Sequence, residues 1–287
     1  MQLHYNGSMT PLLFTLILFA ISLGAGALGA LLGLGGGIII IPALTLLFNI
    51  NIRYAIGASI VSVIATSSGA AAAYVRERMT NMRVAMFLEM ATSAGALCGA
   101  YLSGIVAGRW LFIVFGVVLG YSALMMFHKR HAMPSEGAPK DALADRLQLH
   151  GAYFDEALGH EVAYRVSGTH LGFVLMYIAG VVSGLLGIGS GALKVPALDL
   201  AMRLPIKVST ATSNFMIGVT AAASAGMYFA RGDIDPFITA PVVAGVLIGS
   251  TGGSLLLGRL NSSVIRIVFV VVLLWISAQM LFKGLWI

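Results

Sequence analysis

Residues 11–47 run for 37 positions without one charged side chain. A bilayer core of roughly 30 Å is crossed by about 20 residues of helix, so this run is too long for a single span. It is also too apolar to leave the membrane. It must therefore break inside it, and the place to break is "GLGGG" at 33–37. Further uncharged runs cover 54–75, 110–127, 171–193, 208–230 and 236–258, with 84–108 interrupted only by Glu89 and a last one at 267–282. With 59% hydrophobic and 10% charged residues and a mean hydropathy of +0.94, the chain reads as an all-α polytopic membrane protein. Residues 1–10 hold no Lys or Arg, so the first apolar segment is expected to be retained and not cleaved as a signal peptide.

The chain also resembles itself. "GALGALLGLGGGIIIIPAL" (26–44) and "GVVSGLLGIGSGALKVPAL" (180–198) align without gaps at an offset of 154, with nine identities in 19 positions. On the same diagonal Ser59 falls on Ser213, Tyr74 on Tyr228, Gly95 on Gly249 and Gly99 on Gly253, while "IVFGVVL" falls on "IVFVVVL". The expected organisation is a first transmembrane repeat at 11–128, a cytoplasmic connecting loop at 129–168 and a second repeat at 169–287. Each repeat holds five hydrophobic segments, the second of them short (about 37–48 and 191–202). Five is odd, so the repeats would be inverted, with glycine-broken helices at the centre. If all ten segments cross, twelve Lys and Arg lie inside and four outside; if the short ones dip in and return, the count is ten against six. The positive-inside rule favours the inverted reading.

The connecting loop holds six of the eleven acidic residues and five basic ones. "AYFDEALGHEVAYRV" reads as two short strands around residues 157–159, preceded by a turn-rich linker. The alternative is a flexible tether. "HKRH" at 128–131 reads as a basic anchor at the membrane edge in preference to a metal site. The single Cys98 excludes a disulfide framework and a cysteine metal centre, and is expected to be a small packing residue.

The paired "GLGGG…P" and "GIGSG…P", the "TATSNF" after the second and the "YFARGDID" before a glycine-rich span resemble the sulfite exporter TauE/SafE family of bacterial permeases. The resemblance covers nearly the whole chain. It implies transport of sulfur-containing or organic anions, such as sulfite and sulfonates, across the cytoplasmic (inner) membrane.

The physics of the broken segments points the same way. Non-helical backbone at membrane depth must face protein or a water-filled cavity, and two such breaks at equivalent places mark a central binding site. Gly35, Gly36, Gly37, Gly189, Ser190 and Gly191 would let backbone approach a ligand and start the next helix with free N–H groups, which favour anions. The alternative is that these glycines only allow close helix packing. Ser59, Ser213 and Asn214 are candidates for hydrogen bonds to an oxyanion, or for bonds to their own preceding turn. Lys194 stands in the broken segment where the first repeat has Ile40, and would add a full positive charge; otherwise it snorkels or pairs with Glu89. Glu89 in turn is a proton-carrying carboxylate, the partner of Lys194, or a group reaching for water. Asp199 is expected to pair with Arg203 at the membrane edge.

The expected function is a secondary transporter of small anions, working in a lipid bilayer with no cofactor, no metal and no nucleic-acid partner; a homodimer is left open. A passive anion channel is the alternative. An intramembrane enzyme would need a nucleophile with its base, or metal ligands, within the spans, and all six histidines lie in termini, loop or span edges. "GIGSGA" matches a dinucleotide fingerprint but lacks the surrounding strand–turn–helix unit, and no phosphate-binding G-x-x-x-x-G-K-[ST] loop occurs.

Overall fold

The computed structural model describes residues 10–76, 79–128, 141–156, 158–257 and 260–286. Helix α1 (Pro11–Leu32) opens with proline in its first turn and the Thr10 hydroxyl capping the Leu13 amide, and closes on Gly33. After the break come α2 (Gly37–Pro42), a π-helical turn (Ala43–Leu47), α3 (Ile52–Arg76), α4 (Met82–Ser103) and α5 (Gly108–His128). The connecting segment forms α6 (Ala142–Arg146) and strands β1 (Gly151–Asp155) and β2 (His160–Tyr164). The second half repeats the order with α7 (Thr169–Leu186), α8 (Gly191–Pro196), a π-helical turn (Ala197–Ala201), α9 (Ile206–Ala230), α10 (Pro236–Leu257) and α11 (Ser262–Trp286).

From α2 to α4, every element begins and ends 154 residues before its counterpart. The π-turns have a common cause. Pro42 and Pro196 lack the amide that the helix ladder needs, and each immediately precedes the widened turn.

Among the described residues seven helices are long and apolar enough to cross a membrane: α1, α3, α4, α5, α7, α10 and α11. Helix α9 matches α3 in length at 25 residues but carries buried Ser209, Thr210, Thr212, Ser213, Asn214, Thr220 and Ser224. Its polar side is turned inward, so its low hydropathy reflects what it lines. Large apolar side chains such as Leu16, Met90, Tyr121, Val271 and Trp275 face outward, as a lipid solvent permits.

The halves interleave, with α1 packed on α10, its counterpart α7 packed on α4, α3 on α9 and α5 on α11. Small residues make the first two contacts close. A Cβ on Gly245, Gly249 or Gly253 of α10 would enter the α1 backbone, and one on Gly95 or Gly99 of α4 would enter the α7 backbone. These glycines are packing residues. Cys98 is instead exposed on α4, its sulfur 3.7 Å from the hydroxyl of Tyr177 on α7, because the close backbone approach of α4 to α7 is made at Gly95 and Gly99.

The connecting segment is docked onto one end of the bundle. Strands β1 and β2 pair antiparallel, Gly151 opposite Tyr164 and Asp155 opposite His160, with residue 157 of the intervening turn outside the described residues. Leu149, Tyr153, Tyr164 and Val166 are buried in one apolar cluster with Val84, Leu88, Met202, Leu204 and Val208. The Asn81 amide group, which also caps α4, donates to the Leu149 carbonyl at 2.8 Å and the Tyr164 hydroxyl at 3.0 Å. Beneath the hairpin, Lys207 Nζ meets Asp155 Oδ1 at 2.7 Å, both side chains buried. Asp141 caps α6 and accepts from the Thr169 amide at 2.8 Å; burial raises its carboxyl, but these backbone donors outweigh it and hold it at about 2. The sign follows from the lowered value: this tie is present above the ordinary carboxylate range and lost as pH falls towards 2. Of the "HKRH" cluster, residues 129–131 lie outside the described residues.

Candidate functional site

The site grows from the two broken segments. Gly33 and Gly35 sit at φ +70°, and Gly187 and Gly189 at +66° and +73°, a region that a Cβ makes costly. The first intrahelical donors of α2 are the Ile39 and Ile40 amides, both bonded to the Gly36 carbonyl at 3.1 Å. Those of α8 are the Leu193 and Lys194 amides, both bonded to Ser190 at 2.9 Å. The amides of Gly37, Ile38, Gly191 and Ala192 therefore precede the ladder, and the helix dipole adds to their partial positive charge.

The breaks touch one another. A Cβ on Gly191 would collide with the Gly33 carbonyl and the Leu34 backbone, and one on Gly37 would collide with Ser59 Oγ. Ser59 Oγ donates to the Gly187 carbonyl at 2.7 Å, and Ser213 Oγ donates to the Gly33 carbonyl at 2.8 Å. These are the same bond made twice, 154 residues apart. Each serine thus ties the break of the opposite repeat. Asn214 Nδ2 donates to the Ala30 carbonyl at 2.6 Å and Ser67 Oγ donates to the Asn214 carbonyl at 2.5 Å, binding α9 to α1 and α3. Val63 and Ile217, another equivalent pair, flank both Gly35 and Gly189. Asn214 Oδ1 and the Thr210 hydroxyl are buried without a hydrogen-bond partner among the described residues, and the Thr210 backbone lies against Gly33.

Nine of the ten candidate residues, namely Gly35, Gly36, Gly37, Ser59, Gly189, Ser190, Gly191, Ser213 and Asn214, gather at or beside these breaks, all buried. Lys194 is the exception in direction. Its fully buried ammonium lies 2.5 Å from Thr220 Oγ1 and 3.6 Å from Glu89 Oε2, pointing to α9 and α4. Thr220 Oγ1 is in turn 2.7 Å from Glu89 Oε1, which also accepts from Ser93 at 2.8 Å.

This triad breaks the symmetry of the site. Thr66, the counterpart of Thr220, accepts from the Gly36 amide at 3.3 Å and so steadies the first break. Thr220 is engaged by Lys194 and Glu89 instead, and Ser190, the counterpart of Gly36, stands at φ +61° while Gly36 is at −57°. A buried non-glycine residue in the left-handed region is a strained one. The residues equivalent to Lys194 and Glu89 are Ile40 and Val243, both apolar.

The two threonines carry no pattern of their own in the sequence; the offset of 154, applied to position 66, is the signal that finds them. Asp199, expected to pair with Arg203 at the edge, is buried in the π-turn, and Arg203 is exposed at φ +60°. No group of three or more His, Cys, Asp or Glu that could hold a metal occurs among the described residues.

A family model described as Sulfite exporter TauE/SafE matches residues 18–280. The probable membrane transporter protein YunE of Bacillus subtilis is 27% identical over 276 residues, covering 94% of this chain and 98% of the relative. A probable membrane transporter protein of Xylella fastidiosa is 27% identical over 250 residues, covering 85% and 86%. The probable membrane transporter protein MJ0441 of Methanocaldococcus jannaschii is 25% identical over 219 residues, covering 73% and 70%. No solved structure matches the chain.

Proposed function

The chain belongs to the sulfite exporter TauE/SafE family and is a multi-pass membrane transporter, and we propose that it is a secondary transporter of small sulfur-containing or organic anions in the bacterial cytoplasmic membrane. The observation that carries the reading is the pair of apposed breaks, which set four amides ahead of the helix ladders in a buried, polar-lined centre. Oriented amides at helix starts suit a small oxyanion, and Thr210, whose backbone lies against Gly33, carries a buried hydroxyl without a hydrogen-bond partner among the described residues, whereas the Ser59 and Ser213 protons are given to the Gly187 and Gly33 carbonyls. The serine ties from each break to the other repeat support alternating access over an open pore, since they bridge the two broken segments directly. No enzymatic role is proposed.

Binding is tested by thermal unfolding of the purified protein with sulfite, thiosulfate, sulfate, sulfoacetate, taurine and simple carboxylates. A bound anion raises the melting temperature by mass action. In liposomes a transporter shows saturable counter-exchange of that anion. Unsaturable net current without exchange would assign a channel.

We also propose that the repeats are inverted. The support is that Gly57, near the start of α3, lies against the Asp233 backbone just beyond the end of α9, so the counterparts meet with opposite ends. Single cysteines at Glu161 and Asp233, in a Cys98→Ala background, are expected to label from opposite sides of the membrane. Labelling from one side would restore parallel repeats.

A further inference from the structure

The Lys194–Thr220–Glu89 triad has features that a structural ion pair does not need. Its counterparts are Ile40, Thr66 and Val243, so the repeat folds without charge at these positions. Lys194 is wholly buried, whereas its ion-pair distance to Glu89 is a loose 3.6 Å, and the Glu89 oxygen facing it makes no hydrogen bond. The tight contacts run through the Thr220 hydroxyl and Ser93 to the other oxygen, Oε1. Glu89 is thus anchored by one oxygen, and the other presents negative charge to an ammonium on the half-helix that begins at the second break.

We infer that Glu89 is the resident counter-anion of Lys194 and is exchanged for the transported anion when it takes a proton, so that anion and proton move together. This deepens the anion-transport reading and rests on it. The step balances simply. A proton adds to Glu89 Oε2, the carboxylate becomes neutral, Lys194 remains an ammonium, and one negative charge of the incoming anion replaces the one lost, any second charge of a dianion such as sulfoacetate being carried across as net charge. Release of the anion returns the proton and restores the pair. Leaving Lys194 unpaired at any stage would strand a buried charge, and that cost links the two movements.

The titratable groups on the elements around Glu89 are Lys194 on α8, Asp199 on its π-turn, Lys207 and Tyr228 on α9, and His170 and Tyr177 on α7. Of these, Lys194 is the one within ion-pair distance of Glu89, Lys207 being paired with Asp155.

The test uses the full chain in liposomes, with labelled sulfite and sulfoacetate as probes; the charge of sulfoacetate is fixed through the neutral pH range. An inward proton gradient should drive accumulation of the probe in the wild type, with matching acidification reported by a trapped pH dye. Glu89→Gln should lose gradient-driven accumulation, and any exchange it retains should no longer depend on pH. Lys194→Met should lose exchange itself. If either variant fails to purify as a monodisperse species, the double variant Glu89→Gln/Lys194→Met, which approaches the Ile40/Val243 composition of the other repeat, should fold and be inactive. Wild-type accumulation by Glu89→Gln, or exchange by Lys194→Met or the double variant, overturns the inference. A wild type that exchanges neither probe removes the transport reading, and the coupling falls with it; exchange without proton movement removes the coupling alone.

Discussion

Gly191→Ala should abolish transport and lower the unfolding free energy by about 1–3 kcal/mol, the usual range for overpacking a filled interior. The added methyl has no flexible neighbour to push aside: it meets the Gly33 carbonyl oxygen and the Cα and carbonyl carbon of Leu34. That backbone is fixed by the left-handed turn at Gly33 and by the hydrogen bond from Ser213. The two broken segments must therefore move apart, carrying the amides that form the centre. Gly252→Ala is the control, because a Cβ there meets nothing within 4 Å and a helical alanine is favoured over glycine by roughly 0.5–1 kcal/mol. Thermal unfolding and counter-exchange read both outcomes. A Gly191→Ala protein with normal exchange would show that the apposed breaks are not the transport centre. Gly189→Leu is expected to lose transport as well, since φ +73° and the nearby Val63 leave no room for a side chain.

Asp155→Asn should cost about 3–5 kcal/mol, because it removes the carboxylate that lies 2.7 Å from the buried Lys207 ammonium. Burial, with Asp155 beside it second, raises the Tyr153 hydroxyl well above its ordinary range, so Tyr153 stays a donor to Asp155 Oδ2 at 2.9 Å. The expected result is release of the β1–β2 hairpin from the bundle, seen as faster hydrogen exchange at Gly151–Asp155 and a lower melting temperature. Lys207→Met combined with Asp155→Leu removes both charges and should recover most of the loss, since an apolar pair of similar volume often replaces a buried ion pair without penalty. If the double variant is as unstable as Asp155→Asn, the hairpin is held by something other than charge compensation. The residue equivalent to Lys207 is Arg53, exposed and bonded to the Gly104 carbonyl at 3.4 Å, so this docking belongs to one repeat only.

Much of the architecture is written locally. The length of the uncharged run at 11–47 forces a break, glycine supplies the only inexpensive way to make it, and the offset of 154 predicts the second break to the residue. That Ser59, Ser213 and Asn214 face the interior follows from their polarity on apolar helices, whereas the partners they take, the backbone carbonyls of Gly187, Gly33 and Ala30 in the opposite repeat, are neither an oxyanion nor their own preceding turn and come from the packing. What sequence could not supply is direction. A lysine near a helix start has several partners within reach of its flexible stem, and only the approach of α4 and α9 brings Glu89 and Thr220 to it. The same holds for Lys207: its spacing suits a charge at the membrane edge, yet the hairpin folds over it and places Asp155 against it. Periodicity and length are properties of one segment and its solvent, so the sequence determined the spans, the breaks and their duplication. Pairing of side chains 52 and 105 positions apart depends on how whole helices and the hairpin pack, and only the tertiary structure decided it.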